Sequence, residues 1–262
     1  MAHDASKVLN FKCGNLDIKG LDEIRKFARE LVSETEELIS QVIPVKILAL
    51  DKLCKSELFN KEKSTSYEVD IHIPRNGLQS HTNSSESSTV IADGDVKSVG
   101  KKRKFEETED KECQESVPIN NFLTPMIQAI KPEVKELIQT CSKVQLWIQL
   151  LIPKIEDGNN FGVSIQEEIL NEVNRIQTEA TSFLDQISRY YITRGKLLSK
   201  VAKYPLLDDY RQVIKEVDAK EYVSLQQNSH ELRNFYLLLL DSISKNYEKI
   251  KKPRSSNVES MY

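Results

Sequence analysis

Residues 120–162 read NNFLTPMIQAIKPEVKELIQTCSKVQLWIQLLIPKIEDGNNFG. Leu123, Ile127, Ile130, Val134, Leu137, Cys141, Val144, Ile148 and Leu151 recur at alternating spacings of three and four, which places them on one stripe of an α-helix. Met126, Ile138 and Trp147 widen that stripe to the breadth of a core-facing bundle helix. The spacing predicts a helix over 120–154, with room for a kink at Pro132. The pattern stops at EDGNNFG, residues 156–162, the one concentrated turn signal in the second half of the chain.

Working outward, the same rhythm resumes. Ile169, Val173, Ile176, Ala180, Phe183, Ile187, Tyr190, Arg194, Leu197 and Val201 predict a helix that ends at Tyr204-Pro205. Asp208 reads as the N-cap of a further helix through Val213, Val217, Leu225, Leu232, Phe235, Leu239 and Ile243, which Pro253 stops. Lys249, Lys251 and Lys252 near its end complement the helix dipole. On the N-terminal side, Leu21, Ile24, Ala28, Leu31, Thr35, Leu38 and Val42 predict a first helix within 1–59. A kink is expected at Pro44, with Val45, Leu48 and Leu53 continuing the apolar face.

Between them, residues 60–118 lose all periodicity. Ser, Thr, Asn, Glu and Lys dominate, and such a stretch buries too little apolar area to offset the entropy of ordering it. It is expected to be a disordered insert carrying the basic cluster Lys101, Lys102, Arg103 and Lys104. Residues 119–252 complete the bundle, and 253–262 form a polar tail ending in Ser260, Met261 and Tyr262.

The expected fold class is therefore all-α, an elongated up-down-up-down four-helix bundle whose helices are each roughly 50–65 Å long. Connectivity has a consequence. If the first helix rises, the second descends to the 156–162 loop and the fourth descends to the tail. Loop and tail then share one end of the bundle, and the insert marks the other.

Composition narrows the function classes. Charged residues make up 29% and apolar residues 39% of the 262, with eight Gly and eight Pro, which suits a helical protein with a large solvated surface and disfavours a sandwich or barrel. The net charge of −3 implies no broad basic surface for nucleic acid. Cys13, Cys54, Cys113 and Cys141 are dispersed and form no CxxC pair, so free thiols in a reducing compartment are expected. No apolar run reaches the roughly 20 residues of a membrane span, and the first residues lack a signal-peptide core. The chain is expected in the nucleus or cytosol, with no membrane partner.

Catalytic signatures are missing from the sequence. Of the four His, His3, His72 and His81 fall in the N-terminal segment or insert, and His230 stands alone on the fourth helix. No HExxH, P-loop or GxGxxG occurs. Asp157-Gly158-Asn159 lacks the glycine position and terminal Glu of a calcium loop, so no metal or other cofactor is expected. Taken alone, the loop reads as an ordinary helix connection, the tail as simple disorder, and the basic cluster as either a nuclear import signal or a chance run.

Residues 152–163, IPKIEDGNNFGV, resemble the activation-loop region of the REG (PA-type) proteasome activators, the ATP-independent caps of the proteasome core particle. Leu184-Asp185-Gln186-Ile187-Ser188-Arg189-Tyr190, Lys203-Tyr204-Pro205, Asp209-Tyr210-Arg211 and Lys251-Lys252-Pro253-Arg254 extend the match across the second to fourth helices. Tyr191-Ile192-Thr193-Arg194 and Arg254-Ser255-Ser256-Asn257 are most similar to the gamma-type branch. Two features depart from it: Gly195 where Ala is usual, and a longer insert rich in Ser and Thr.

The resemblance implies a nuclear homoheptameric ring that opens the proteasome gate without catalytic residues of its own. It implies docking of Ser260, Met261 and Tyr262 on the α-subunit ring of the core. It assigns the gate contact to Asn159, flanked by Asp157, Gly158, Asn160, Phe161 and Gly162. It places Lys196 on the channel as a specificity position, and it favours recognition of Lys101–Lys104 by an import receptor. A helical coiled-coil scaffold or adaptor with no proteasome role is the alternative.

Overall fold

A computed structural model of the chain describes residues 19–59, 117–155 and 157–254. Most of the expected insert, its basic cluster, and the tail beyond Arg254 lie outside the described residues. Helix α1 spans Leu21–Glu37, a π-helical turn spans Leu38–Val42, and α2 spans Ile43–Cys54. Then come α3 at Leu123–Leu151, α4 at Phe161–Lys203 and α5 at Asp208–Lys251. The α1–α2 rod, α3, α4 and α5 form the four arms of an elongated up-down-up-down bundle, with no strand among the described residues.

The α4 stripe packs as its periodicity predicts. Ile169, Val173, Ile176, Ala180, Phe183, Ile187, Tyr190, Arg194 and Val201 are all buried. Phe183 stacks on Phe235 of α5 at 6.2 Å, and Trp147 of α3 stacks on Tyr247 at 6.3 Å, so aromatic pairs bridge neighbouring helices at two heights. Helix α3 is 29 residues long, shorter at both ends than its sequence pattern suggests. It continues through Pro132, which lies exposed together with Gln128, the residue whose carbonyl loses its donor there.

The first arm corrects the expected face. The break precedes Pro44 and takes the form of the π turn at Leu38–Val42, with Pro44 in the first turn of α2. A π turn inserts an extra residue and rotates everything beyond it. Before the turn the buried positions are Ala28, Val32 and Thr35; from the turn onward they are Ile39, Ile43, Leu50 and Cys54, while Val45 and Leu48 are swung outward to 67% and 65% exposure. Ile24, Phe27 and Val42 also face outward. Lys46 pairs with Glu133 and Glu136 of α3 at 2.9 and 2.6 Å, and Arg233 of α5 pairs with Asp51 at 2.9 Å, fixing the height of this arm.

The start of α5 is a second correction. Val213 is exposed and Ile214 is buried, and the core positions that follow are Asp218, Glu221, Tyr222 and Leu225. Polar side chains fill the stripe there, so a search for apolar periodicity slips by one residue. Asp208 is not the cap either. Leu207 occupies that position in extended backbone, and Asp208 and Asp209 lie in the first turn, where they favour the positive helix end. The α4–α5 hairpin runs on past the other arms, since the Phe59 carbonyl meets Gln226 roughly 27 Å down α5 from Asp208. Val201 and Ile214, backed by Leu197, Leu198 and Tyr210, give this extension a small core of its own.

Candidate functional site

At the opposite end, α3 stops because Ile152, the residue before Pro153, is held extended (ψ 124°). Gly158 (φ 80°) and Asn159 (φ 47°) then take consecutive left-handed positions that reverse the chain. Asn159 is the sole non-glycine residue at positive φ among the described residues, and Asn is the side chain that accepts this region at least cost. Asn160 leads into α4, whose first residue is Phe161. Asp157, Gly158, Asn159, Asn160 and Phe161 are all exposed, and the apolar side chains of Ile155 and Phe161 stand in solvent at either flank.

Gly162 differs from its neighbours in being buried. A Cβ there would overlap the Pro253 backbone, so the first turn of α4 rests directly on the root of the tail. Two side chains reinforce that contact. Arg254 donates from Nη1 to the Lys154 carbonyl at 2.9 Å and from Nη2 to Asn160 Oδ1 at 3.0 Å, spanning the loop from one flank to the other. Gln166, fully buried, donates from Nε2 to the Leu151 carbonyl at 3.1 Å and the Ile250 carbonyl at 2.8 Å. Those carbonyls end α3 and α5 and have no partner within their own helices. One amide of α4 thus ties together the helix that enters the loop and the helix that leads to the tail. Lys251 pairs with Glu36 of α1 beside the Tyr247 ring, which anchors the last turn of α5 to the first arm.

A second polar cluster lies near the other end, inside the core. Arg194 Nε meets Asp218 Oδ1 at 3.2 Å, and Asp218 also accepts from the Tyr190 hydroxyl and from Asn120 Nδ2, both at 2.9 Å. Asn120 Oδ1 in turn accepts from the backbone N–H groups of Phe122 and Leu123, which starts α3. Burial, with the Asp218 charge adding to it, pushes the Tyr190 hydroxyl well above its usual range. Burial likewise raises the Glu221 carboxyl, whose Oε2 lies 3.5 Å from Gln186 Nε2. The cluster joins α3, α4 and α5 and is closed to solvent, which suits a structural tie.

The predicted site residues thus fall into three groups. Asp157 to Gly162 gather at the loop. Lys196 is exposed on α4, roughly 52 Å along the helix from Phe161. Lys101–Lys104 and Ser260, Met261 and Tyr262 lie outside the described residues. Periodicity did not flag Gln166 or Arg254. A polar residue on the buried stripe three positions before Ile169 was the available signal for Gln166; the contacts of Arg254 are 94 and 100 residues away in sequence and leave no local signature. Among the described residues, no group of three or more His, Cys, Asp or Glu is placed to hold a metal, and no helix is long and apolar enough to cross a membrane.

The pattern of the family described as "Proteasome activator PA28, C-terminal" matches residues 116–260, and that of "Proteasome activator PA28, N-terminal" matches residues 20–75. The chain is 44% identical over 248 residues to the human protein named "Proteasome activator complex subunit 3", covering 92% of this chain and 95% of that one. Its chicken counterpart of the same name is 45% identical over the same span. Among solved structures, the 11S subunit of the Plasmodium falciparum proteasome, PA28, superposes with a TM-score of 0.68 at 30% identity, covering 91% of this chain and 96% of that one. A chain of an archaeal 20S proteasome–PA26 complex shares the fold at 11% identity, with a TM-score of 0.54 over 90% of this chain and 92% of that one.

Proposed function

The chain belongs to the PA28 family of proteasome activators, and on that premise we propose that it is a non-catalytic subunit of an ATP-independent activator ring. Seven copies dock on the α-subunit ring of the proteasome core through Ser260, Met261 and Tyr262. The loops, led by Asn159, then press on the gate and admit peptides and unfolded chains. Lys196 faces the channel of the ring. Lys101, Lys102, Arg103 and Lys104 direct the protein to the nucleus through an import receptor.

The observation that carries this reading is the direct contact between loop and tail root, Gly162 against Pro253. A docking device and a gate-opening device must face the same partner surface, and they do so only if both emerge at one end. A single short tail buries little area and binds weakly. Several tails on one rigid ring raise each other's effective concentration, so weak contacts sum to firm attachment. Gate opening then needs only contacts that favour the open state over the closed one. Ring assembly draws support from the outward apolar side chains Phe27, Val45 and Leu48 on the first arm and Val223, Leu237 and Leu238 on α5, which are costly to leave in water on a monomer.

Two measurements test the reading together. Native mass determination is expected to give about seven copies, where a coiled-coil scaffold gives a dimer or an open polymer. Added to purified core particles, the ring is expected to stimulate hydrolysis of short fluorogenic peptides. Removal of Ser260–Tyr262 is expected to abolish both co-sedimentation and stimulation. A ring without these residues that still co-sediments and stimulates overturns the docking assignment.

A further inference from the structure

We infer that Arg254 is a positioning residue that sets the activation loop from the tail root, so that docking and loop presentation are one mechanically coupled event. The inference rests on the proposed function and adds to it a device that the loop and tail assignments do not contain. Its basis is geometric. The guanidinium reaches both flanks of the loop, at the Lys154 carbonyl before it and at the Asn160 side chain after it. Asn160 stands at the N-cap of α4, yet its side chain makes no capping bond within that helix and instead receives Arg254. A planar fork that donates to two fixed acceptors imposes an orientation, which a single ammonium cannot do.

The surroundings make the clamp stiff. Pro253 is seated on Gly162, where no side chain fits between the two strands of backbone. Gln166 holds the carbonyls of Leu151 and Ile250 just behind it. A shift of Arg254 therefore either breaks both bonds or carries the loop with it. Ser260 lies six positions beyond Arg254, so at about 3.3 Å per position the tail contact lies within roughly 20 Å of the clamp. A tail pulled into a pocket on the core particle draws on a tether whose root is bonded to the loop. The free energy of docking then holds Asn159 at a defined height above the gate.

The test uses the full-length ring. Arg254→Ala is expected to keep the native mass of the ring and to co-sediment with core particles at saturating concentration, while maximal peptide hydrolysis falls about tenfold for the loss of two charge-assisted bonds. Arg254→Lys is expected to restore part of that maximum. The double variant Arg254→Ala/Asn160→Ala is expected to be no worse than the more severe single variant, because both remove one linkage. In the free ring, a lysine-specific protease is expected to cut after Lys154 several-fold faster in Arg254→Ala, and removal of Ser260–Tyr262 is expected to leave that rate unchanged.

Full maximal stimulation by Arg254→Ala with only a raised half-saturating concentration overturns the inference, since it assigns Arg254 to affinity alone. An unchanged cleavage rate after Lys154, or additive losses in the double variant, overturns it as well. A parent ring that gives no stimulation refutes the proposed function instead, while the cleavage experiment still decides whether the clamp exists.

Discussion

Gly162 and Pro253 touch backbone to backbone, with no room for even a methyl group between them. One residue lies in the first turn of α4, just after the loop, and the other follows α5 at the root of the tail. The two segments proposed to hold the ring and to open the gate are therefore neighbours within one subunit, and substitutions at this junction separate their contributions.

The same substitution at two glycines is expected to act with opposite signs. Gly162→Ala forces backbone apart and is expected to cost about 1–3 kcal/mol. At Gly195, within α4, an added Cβ meets nothing within 4 Å. Gly195→Ala is expected to gain about 0.5–1 kcal/mol from the lower entropy of its unfolded chain. Chemical denaturation of both variants checks the pair; equal shifts would contradict the packing at Pro253.

Asn159→Tyr is expected to leave the ring and its co-sedimentation with core particles intact while peptide hydrolysis drops to that of the core alone. Tyrosine replaces the exposed amide at the loop tip and must adopt φ near 47°, a left-handed conformation that costs a side-chain-bearing residue about 1–2 kcal/mol. Stimulation equal to the parent would remove Asn159 from the gate contact.

Asp218→Ala is expected to destabilise the chain by about 3–5 kcal/mol, because Arg194 stays buried without its counter-charge. The Tyr190 hydroxyl and Asn120 Nδ2 lose their acceptor at the same time. The double variant Arg194→Met/Asp218→Leu is expected to recover much of the loss. Urea unfolding of the three proteins reads both effects; a mild single-variant cost would mean that water reaches the cluster.

Glu221 carries a pH dependence. Burial raises its carboxyl above the ordinary value, the Asp218 charge adds to the rise, and Gln186 and Lys220 oppose it. The folded chain therefore binds this proton more tightly than the unfolded chain does. The stability it contributes is full below the unfolded value of about 4.3 and is lost as pH rises through the folded value. Glu221→Gln is expected to be more stable than the parent near neutral pH, with the difference closing toward about pH 4. Denaturation midpoints across that range check the sign, and a gap that widens toward acid would contradict it.

Much of this molecule was legible as a string of residues. The α4 stripe from Ile169 to Val201 is nearly all apolar and unbroken, so each predicted core residue but the half-buried Leu197 is a buried one. The stripe of the first arm failed at Leu38–Val42, where the π turn adds a residue and swings Val45 and Leu48 outward. The start of α5 failed for a different reason: Asp218 and Glu221 fill core positions as members of a hydrogen-bonded cluster, and polarity alone marks them as surface.

The helices, their order and the break at 156–162 can be read from the residues alone, because three-four periodicity and turn chemistry act between positions a few residues apart. Connectivity then set loop and tail at one end. That they touch, that Arg254 spans the loop and that Gln166 closes two helix ends emerges from the packing of the folded chain. Those bonds join residues 15 to 100 positions apart, and their partners are backbone carbonyls or side chains whose availability depends on where each helix stops.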